Sequence, residues 1–204
     1  MSAAPFEHRQ YDVIDPAGMA IDPVAWAQEN AMVGSHRADA FAAVGVWRWP
    51  LLHEPPIPEV LRRWIDEADR IIDFGGAAGP MGYGAIVVDR QADIRSLDDV
   101  EGQVDLIFTA HTLEHVRDLG LALCSFHWKL PIGGRVIVLV PSWQNESLRA
   151  ENHIHHAHTF CLSADTDTEP YWIKLDDLLI EHGFGLHIVA QGHGNILIAG
   201  EKLR

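Results

Sequence analysis

RIIDFGGAAG, residues 70–79, is the stretch of the chain that decides the fold. It begins as a short apolar run, which is typical of a buried β-strand, and it ends in a turn of glycines and alanines. Small residues after a strand let the main chain come close to a ligand, because no bulky side chain stands in the way. The backbone N–H groups of such a turn can hold a carboxylate or a phosphate. Taken alone, the segment fits a simple tight turn equally well.

The segments around this turn alternate between helices and strands. Apolar residues recur at helical spacing in some segments, and β-branched runs mark others as strands. The predicted helices cover residues 57–68, 119–130 and 173–182, and the predicted strands cover residues 70–74, 85–88, 104–109, 135–140, 186–190 and 195–199. The last two strands flank Gly192-His193-Gly194 and are expected to form an antiparallel hairpin at a sheet edge. This alternation predicts one α/β domain with a mostly parallel sheet.

The carboxyl ends of the predicted strands are the expected location of a ligand. In open α/β sheets, ligands bind in the crevice beyond the ends of the parallel strands. Four parts of the chain directly follow such a strand: the Gly75–Gly79 turn, Asp89, His111 and residues 141–143. We therefore expect the functional site among them.

Composition excludes some functions. The 204 residues include 29 acidic and 15 basic side chains, for a formal charge of −14. An acidic chain repels a phosphate backbone, so we expect no nucleic-acid partner. No apolar run reaches the ~18 residues of a membrane span, and the first ten residues lack a signal pattern, so we expect a cytoplasmic protein without a membrane partner. The two cysteines, Cys124 and Cys161, form neither a zinc motif nor a disulfide framework.

Residues 1–56 are predicted to be an N-terminal extension that caps the crevice, with residues 57–204 as the main domain. The extension is rich in proline, and a short helix is predicted from Pro23 to Met32. Its aromatic segment, Trp47-Arg48-Trp49-Pro50, either lines a pocket or anchors the extension to the domain, and we favour the anchor.

Three motifs in order resemble a known family. They are residues 73–79, the triplet Leu113-Glu114-His115, and residues 130–134 before the next strand. Together they resemble the class I S-adenosylmethionine (SAM)-dependent methyltransferases, in the group with Leu-Glu-His after strand four, over about residues 71–203. The resemblance implies an α/β, Rossmann-like, mostly parallel seven-stranded sheet with an antiparallel last strand. It also implies S-adenosyl-L-methionine as cofactor.

The implied reaction is methyl transfer to the hydroxyl or amine of a small-molecule or sugar-like acceptor. By analogy, a sugar of surface-polysaccharide biosynthesis is one such acceptor. The sequence leaves open whether the chain acts alone, as a homo-oligomer or with a partner enzyme.

The resemblance also implies roles for single residues. The first motif, with Asp73, Gly75, Gly76 and Gly79, would surround the methionine part of the cofactor. Asp89 matches the acidic residue that accepts hydrogen bonds from the ribose hydroxyls, and a carboxylate suits two neighbouring O–H donors.

Further along the chain, Asp93 matches the residue that reads the adenine amino group. His111 and Leu113 match positions beside the adenosine and the transferring methyl group. The Glu114–His115 pair is interpreted as structural.

Two departures from the family pattern leave alternatives open. Ala77 replaces the middle glycine of the turn, and only residues 80–84 separate the turn from the next strand, where the family inserts a helix. The chain is then a compact variant that keeps the site, a variant in which residues 85–93 merge two strands, or a protein whose cofactor site has decayed. The last case implies a catalytically inactive methyltransferase-like scaffold or regulatory subunit.

Residues 151–160, ENHIHHAHTF, are rich in histidine and follow the strand at residues 135–140. Neutral imidazole is a good base near neutral pH, so we expect His155 or His156 to accept a proton from the methyl acceptor, with His111 as a third candidate. A metal site would need a further ligand such as Glu151 or His111, and we expect none. A purely structural histidine loop is the remaining alternative.

Overall fold

The computed structural model describes residues 13–14, 20–21, 49–76, 81–88, 97–116, 118–142, 161–163 and 172–204. Short 3-10 turns occupy Pro50–His53 and Leu113–His115. The strands are β1 (Val13–Ile14), β2 (Ala20–Ile21), β3 (Ile71–Phe74), β4 (Ile86–Val88), β5 (Leu106–Ala110), β6 (Arg135–Pro141), β7 (Cys161–Ser163), β8 (Trp172–Lys174), β9 (Phe184–Gly192) and β10 (Asn195–Lys202). The helices are α1 (Ile57–Glu67), α2 (Leu119–Lys129) and α3 (Leu175–Glu181).

The main sheet has the order β4-β3-β5-β6-β10-β9. The first four strands are mutually parallel, whereas β10 runs antiparallel to both of its neighbours. The α/β class, the mostly parallel sheet and the antiparallel terminal hairpin are therefore confirmed. The part of the chain that the structure describes contributes six strands to this sheet, where the sequence analysis expects seven. The remaining strands form the two-stranded pairs β1-β2 and β7-β8.

Apolar residues on both faces of the sheet create two core layers. Alternate residues of a strand point to opposite faces, so the continuous apolar run of β6 serves both layers. On one face the sheet packs against α2 and α3, and the rings of Phe74 and Phe126 meet edge to face at 5.2 Å. On the other face it packs against α1, with Leu61 and Trp64 buried. This arrangement makes the central strands a rigid support for whatever follows their carboxyl ends.

The segment before α1 belongs to the second layer. Trp49, Leu51 and Leu52 are all buried there. This burial fits the anchoring interpretation of the aromatic segment. The boundary at residue 56 and the role of residues 1–56 as a cap stay predictions.

Several predicted element bounds shift in the structure. Ile173 and Lys174 belong to β8, and α3 begins at Leu175, because Leu162 and Ser163 pair with those two residues. The strands β9 and β10 extend beyond their predicted ends, since each pairs along almost its whole length. The helix predicted from Pro23 to Met32 lies outside the described residues. No helix in the described ranges is both long enough and apolar enough to cross a membrane.

Candidate functional site

The turn after β3 is pressed against the loop that follows β5. Gly75 has φ +85°, and its N–H donates to the carbonyl oxygen of Val88 at 2.8 Å. A Cβ atom at Gly75 would lie 2.0 Å from Oγ1 of Thr112. Both the left-handed backbone and this close approach require glycine. Packing against Thr112 thus explains the glycine at this position, and the predicted approach of this main chain to a ligand stays a prediction.

Asp73 ties the beginning and the end of the loop together. Its side chain is buried, and Oδ2 accepts a hydrogen bond from the backbone N–H of Met81 at 2.5 Å. A Cβ atom at Gly76 would lie 2.1 Å from the same oxygen. A carboxylate that accepts from a backbone N–H forms a strong, charge-assisted bond. In this structure Asp73 therefore organises the loop, and Met81 enters the apolar layer that contains Trp49.

The connection from β3 to β4 is short, as the sequence predicts. The described residues of this connection, 75–76 and 81–85, contain no α-helix. Gly82, Tyr83 and Gly84 all have positive φ and turn the chain directly into β4. Parallel strands normally need a long crossover with a helix. Here β4 still pairs parallel to β3, with Phe74 opposite Val88, so the strand preceding Asp89 ends beside Gly75.

His111 is held at the end of β5 by contacts from three directions. Its φ is +52°, and its N–H donates to the carbonyl oxygen of Leu139 at 2.8 Å. Nε2 lies 2.7 Å from Oδ1 of Asn195, which is the first residue of β10. The imidazole ring stacks on Trp49, with ring centroids 4.3 Å apart and planes 7° from parallel. The place of His111 at this end of the sheet is predicted from the sequence, whereas Asn195 and Trp49 are not predicted as its partners.

The Leu-Glu-His triplet turns inward. Leu113 is fully buried in the layer beside α2, and Glu114 is also buried. Burial raises the pKa of Glu114 to about 8, because removal from water penalises the charged form. Its Oε1 lies 3.9 Å from Nδ1 of His111 and 3.6 Å from Nε2 of His115, yet neither carboxyl oxygen has a hydrogen-bond partner among the described residues.

A second contact joins residues 49–54 to the terminal hairpin. Nε2 of His193 lies 3.0 Å from Oε1 of Glu54, and both side chains are half-exposed. Leu51 lies against Gly192, where a Cβ atom would come within 3.2 Å. Residues 49–54 therefore lie beside the hairpin turn, at the end of the sheet where the parallel strands terminate.

The hairpin is also hydrogen-bonded to Ser142, which follows the end of β6. Gln191 donates from Nε2 to Oγ of Ser142 at 2.8 Å, and the backbone N–H of Ser142 donates to Gly194 at 2.8 Å. Neither Gln191 nor Asn195 was predicted to lie at the site. The Gly-His-Gly turn was the only sequence signal near them.

The predicted site residues fall into two groups. Among the described ones, Asp73, Gly75, Gly76 and His111 lie at one end of the sheet, with Thr112 in contact with Gly75, and Leu113 is fully buried beside α2. The others, Gly79, Asp89, Asp93, His155 and His156, lie outside the described residues. Across the described ranges, no group of three or more histidine, cysteine or acidic side chains is arranged to hold a metal ion.

The architecture is similar to that of solved methyltransferase structures. No protein-family model matches the sequence, and no curated protein matches it. A SAM-dependent methyltransferase from Thermotoga maritima, described as a possible histamine N-methyltransferase, is similar in structure with a TM-score of 0.50. The two share 15% sequence identity, and the match covers 71% of this chain and 86% of that one. The chain has a methyltransferase fold.

Two other solved structures are similar at lower scores. An O-methyltransferase family protein from Burkholderia thailandensis has a TM-score of 0.49 and 15% identity, over 86% of this chain. The match spans 63% of the length of that protein. The N-methyltransferase NodS from Bradyrhizobium japonicum, in complex with S-adenosyl-L-homocysteine, has a TM-score of 0.46 and 14% identity, over 90% of this chain and all of NodS.

Proposed function

We propose that the protein binds SAM and transfers its methyl group to a hydroxyl or amine of a small-molecule or sugar-like acceptor. The observation that supports this proposal is the glycine turn after β3, at the carboxyl ends of the parallel strands of a methyltransferase fold. Ligands of such sheets bind at this end.

The proposed cofactor site extends from β3 to β5. The turn with Gly75, Gly76 and Gly79 would offer the methionine end of SAM main-chain groups other than the Gly75 N–H, which is bonded to Val88. Asp73 supports that turn through Met81. The ribose is assigned to Asp89, which directly follows Val88 in sequence, and the adenine to Asp93, His111 and Leu113. Support for the Asp89 assignment comes from the bond between Val88 and Gly75, because it brings the end of β4 beside the turn.

In methyl transfer from a sulfonium, the protein needs to form no covalent bond to the methyl group. The methyl group is already activated, so the main tasks are to align the acceptor atom with it and to exclude water. A hydroxyl acceptor must also lose its proton during attack, and a positioned base accelerates that loss. We assign this role to His155 or His156.

A second candidate function is a methyltransferase-like scaffold or regulatory subunit without catalysis. Two observations favour it. The described part of the β3–β4 connection lacks a helix, and the side chain of Met81 is fully buried in the layer that contains Trp49. The first is a departure from the family pattern next to the proposed cofactor site, and the second places a buried side chain at a residue whose N–H is bonded to Asp73 of that site.

Calorimetry of the full chain with SAM and S-adenosylhomocysteine separates the two functions. The enzyme proposal expects saturable binding of one ligand per chain. Binding should be weakened at least tenfold in Asp89→Ala and left unchanged in Asp99→Ala, an exposed acidic control. Absence of heat at millimolar ligand would favour the scaffold.

Methyl transfer itself is tested with radiolabelled SAM and a panel of small alcohols and amines. His155→Ala or His156→Ala should lose transfer to alcohols while retaining S-adenosylhomocysteine binding. If both variants keep full transfer, the base is not in the histidine loop.

A further inference from the structure

The side-chain amide of Asn195 has a fixed orientation. Asn195 is 6% exposed, and its Nδ2 donates to the backbone carbonyl oxygen of His193 at 2.9 Å. The other end of the amide, Oδ1, therefore faces Nε2 of His111 at 2.7 Å. A carbonyl oxygen can only accept, so Nε2 of His111 must carry the hydrogen.

The second imidazole nitrogen faces the protein interior. Nδ1 of His111 is 3.9 Å from Oε1 of Glu114, a residue that is 1% exposed. Because burial raises the pKa of Glu114 to about 8, this carboxyl group is protonated at neutral pH. At 3.9 Å the two groups are not hydrogen-bonded, but a neutral carboxyl group next to Nδ1 does not require that nitrogen to carry a hydrogen, so the Nε2–H tautomer is compatible with both neighbours of the ring.

The ring is also held through its face and its backbone. It stacks on Trp49, and the bond from its own N–H to Leu139 continues the pairing of β5 with β6. Rotation of the imidazole would break the bond to Asn195 and the stacking together. The titratable groups described near the ring include Glu114 and, on the other side of that carboxyl group, His115, whose Nε2 lies 3.6 Å from Oε1 of Glu114.

We propose that Asn195 is a positioning residue that holds His111 as the Nε2–H tautomer, so that His111 is a fixed ring beneath Trp49 and not the proton acceptor of the reaction. A proton taken from an acceptor must reach an imidazole lone pair. Nε2 has none in this tautomer, and Nδ1 faces the buried Glu114. The inference removes His111 from the candidate proton acceptors, so that His155 and His156 remain as the proposed bases. Its statement about the proton acceptor rests on the proposed function.

The tautomer is measured by long-range proton–nitrogen NMR of the full chain with 15N-labelled histidine. The His111 signals are assigned by their loss in His111→Gln. The wild type should show a protonated Nε2 and a bare Nδ1 at neutral pH. Asn195→Ala should give a mixture of tautomers, whereas Gln191→Ala, a control in the same hairpin, should leave the His111 signals in place. A wild-type ring with hydrogen on Nδ1, or an unchanged ring in Asn195→Ala, would overturn the proposal.

A second variant and a kinetic measurement complete the test. Asn195→Asp keeps the acceptor and the side-chain shape, so it should keep the Nε2–H tautomer while raising the pKa of His111 through its negative charge. If His111 is not the proton acceptor, the midpoint of the pH profile for methyl transfer should not follow that shift. A midpoint that rises with the pKa of His111 would make it the base. The tautomer of His111 is measured by NMR without SAM. Failure of the tautomer proposal is therefore distinguishable from failure of the proposed methyl transfer.

Discussion

Replacement of Gly75 by alanine tests the packing of the turn most sharply. The new methyl group would lie 2.0 Å from Oγ1 and 2.5 Å from Cγ2 of Thr112, inside any allowed contact. Left-handed backbone costs alanine ~1–2 kcal/mol, and lower entropy of the unfolded chain offsets ~0.4–1 kcal/mol of this. Overpacking adds ~1–3 kcal/mol. We therefore expect Gly75→Ala to lower the free energy of unfolding by ~2–4 kcal/mol.

Gly133→Ala is the matched control, because Gly133 has φ +81° and nothing within 4 Å of its added methyl group. Gly133→Ala should lower the free energy of unfolding by only ~1 kcal/mol, because the left-handed backbone is then the only source of strain. Urea unfolding of both variants gives the difference in the free energy of unfolding. A double-mutant cycle with Thr112→Ala should show favourable coupling of ~0.5–1 kcal/mol, because Oγ1 and Cγ2 are removed while the Cβ atom of residue 112 stays 2.7 Å from the new methyl group. Equal losses in Gly75→Ala and Gly133→Ala, or no coupling, would refute the close contact between the turn and Thr112.

Three other substitutions test separate parts of the site. The pKa of Glu114 is about 8 in the folded chain and 4.5 for an ordinary glutamate. Between these two pH values the folded state keeps a proton that the unfolded state releases. The free energy of unfolding should therefore fall by ~1.4 kcal/mol for each unit that the pH rises in this range. Glu114→Gln should abolish that slope in urea unfolding measured from pH 5 to 8, and an unchanged slope would contradict the burial of a neutral acid. Trp49→Ala should lower the free energy of unfolding by ~3–5 kcal/mol, whereas Trp128→Ala, at a residue that is 72% exposed, should change it by no more than ~0.5 kcal/mol. Thermal or urea unfolding measures both. Asp73→Ala should lower the free energy of unfolding by ~1–3 kcal/mol, since it leaves the N–H of Met81 without its acceptor. Faster hydrogen exchange at the Met81 amide would show that this bond is the one lost.

Elements with continuous apolar or periodic sequence were predictable, and contacts between distant segments were not. The strand β6 reads RVIVLVP and is buried on both faces, so its composition alone predicts a central strand. Likewise α2 ends just before Pro131, where the sequence places a stop. In contrast, β8 forms only because it pairs with β7, and three residues are too few for periodicity to separate a strand from a helix start.

The site shows the same division. The position of His111 after β5 follows from the strand pattern, whereas its bond to Asn195 joins residues 84 apart in sequence. The stack on Trp49 and the bond from Met81 to Asp73 likewise depend on how loops return to the sheet. Single-sequence patterns describe local preferences, and these contacts are set by the tertiary fold.

A crystal structure of the full chain grown with S-adenosylhomocysteine would show whether the glycine turn binds the cofactor. We expect electron density for the ligand beside Gly75, with its amino-acid end against the 75–79 turn and the Asp89 carboxylate within hydrogen-bond distance of both ribose hydroxyls. A structure in which Met81 or Trp49 fills that volume, with no ligand bound at millimolar concentration, would contradict it.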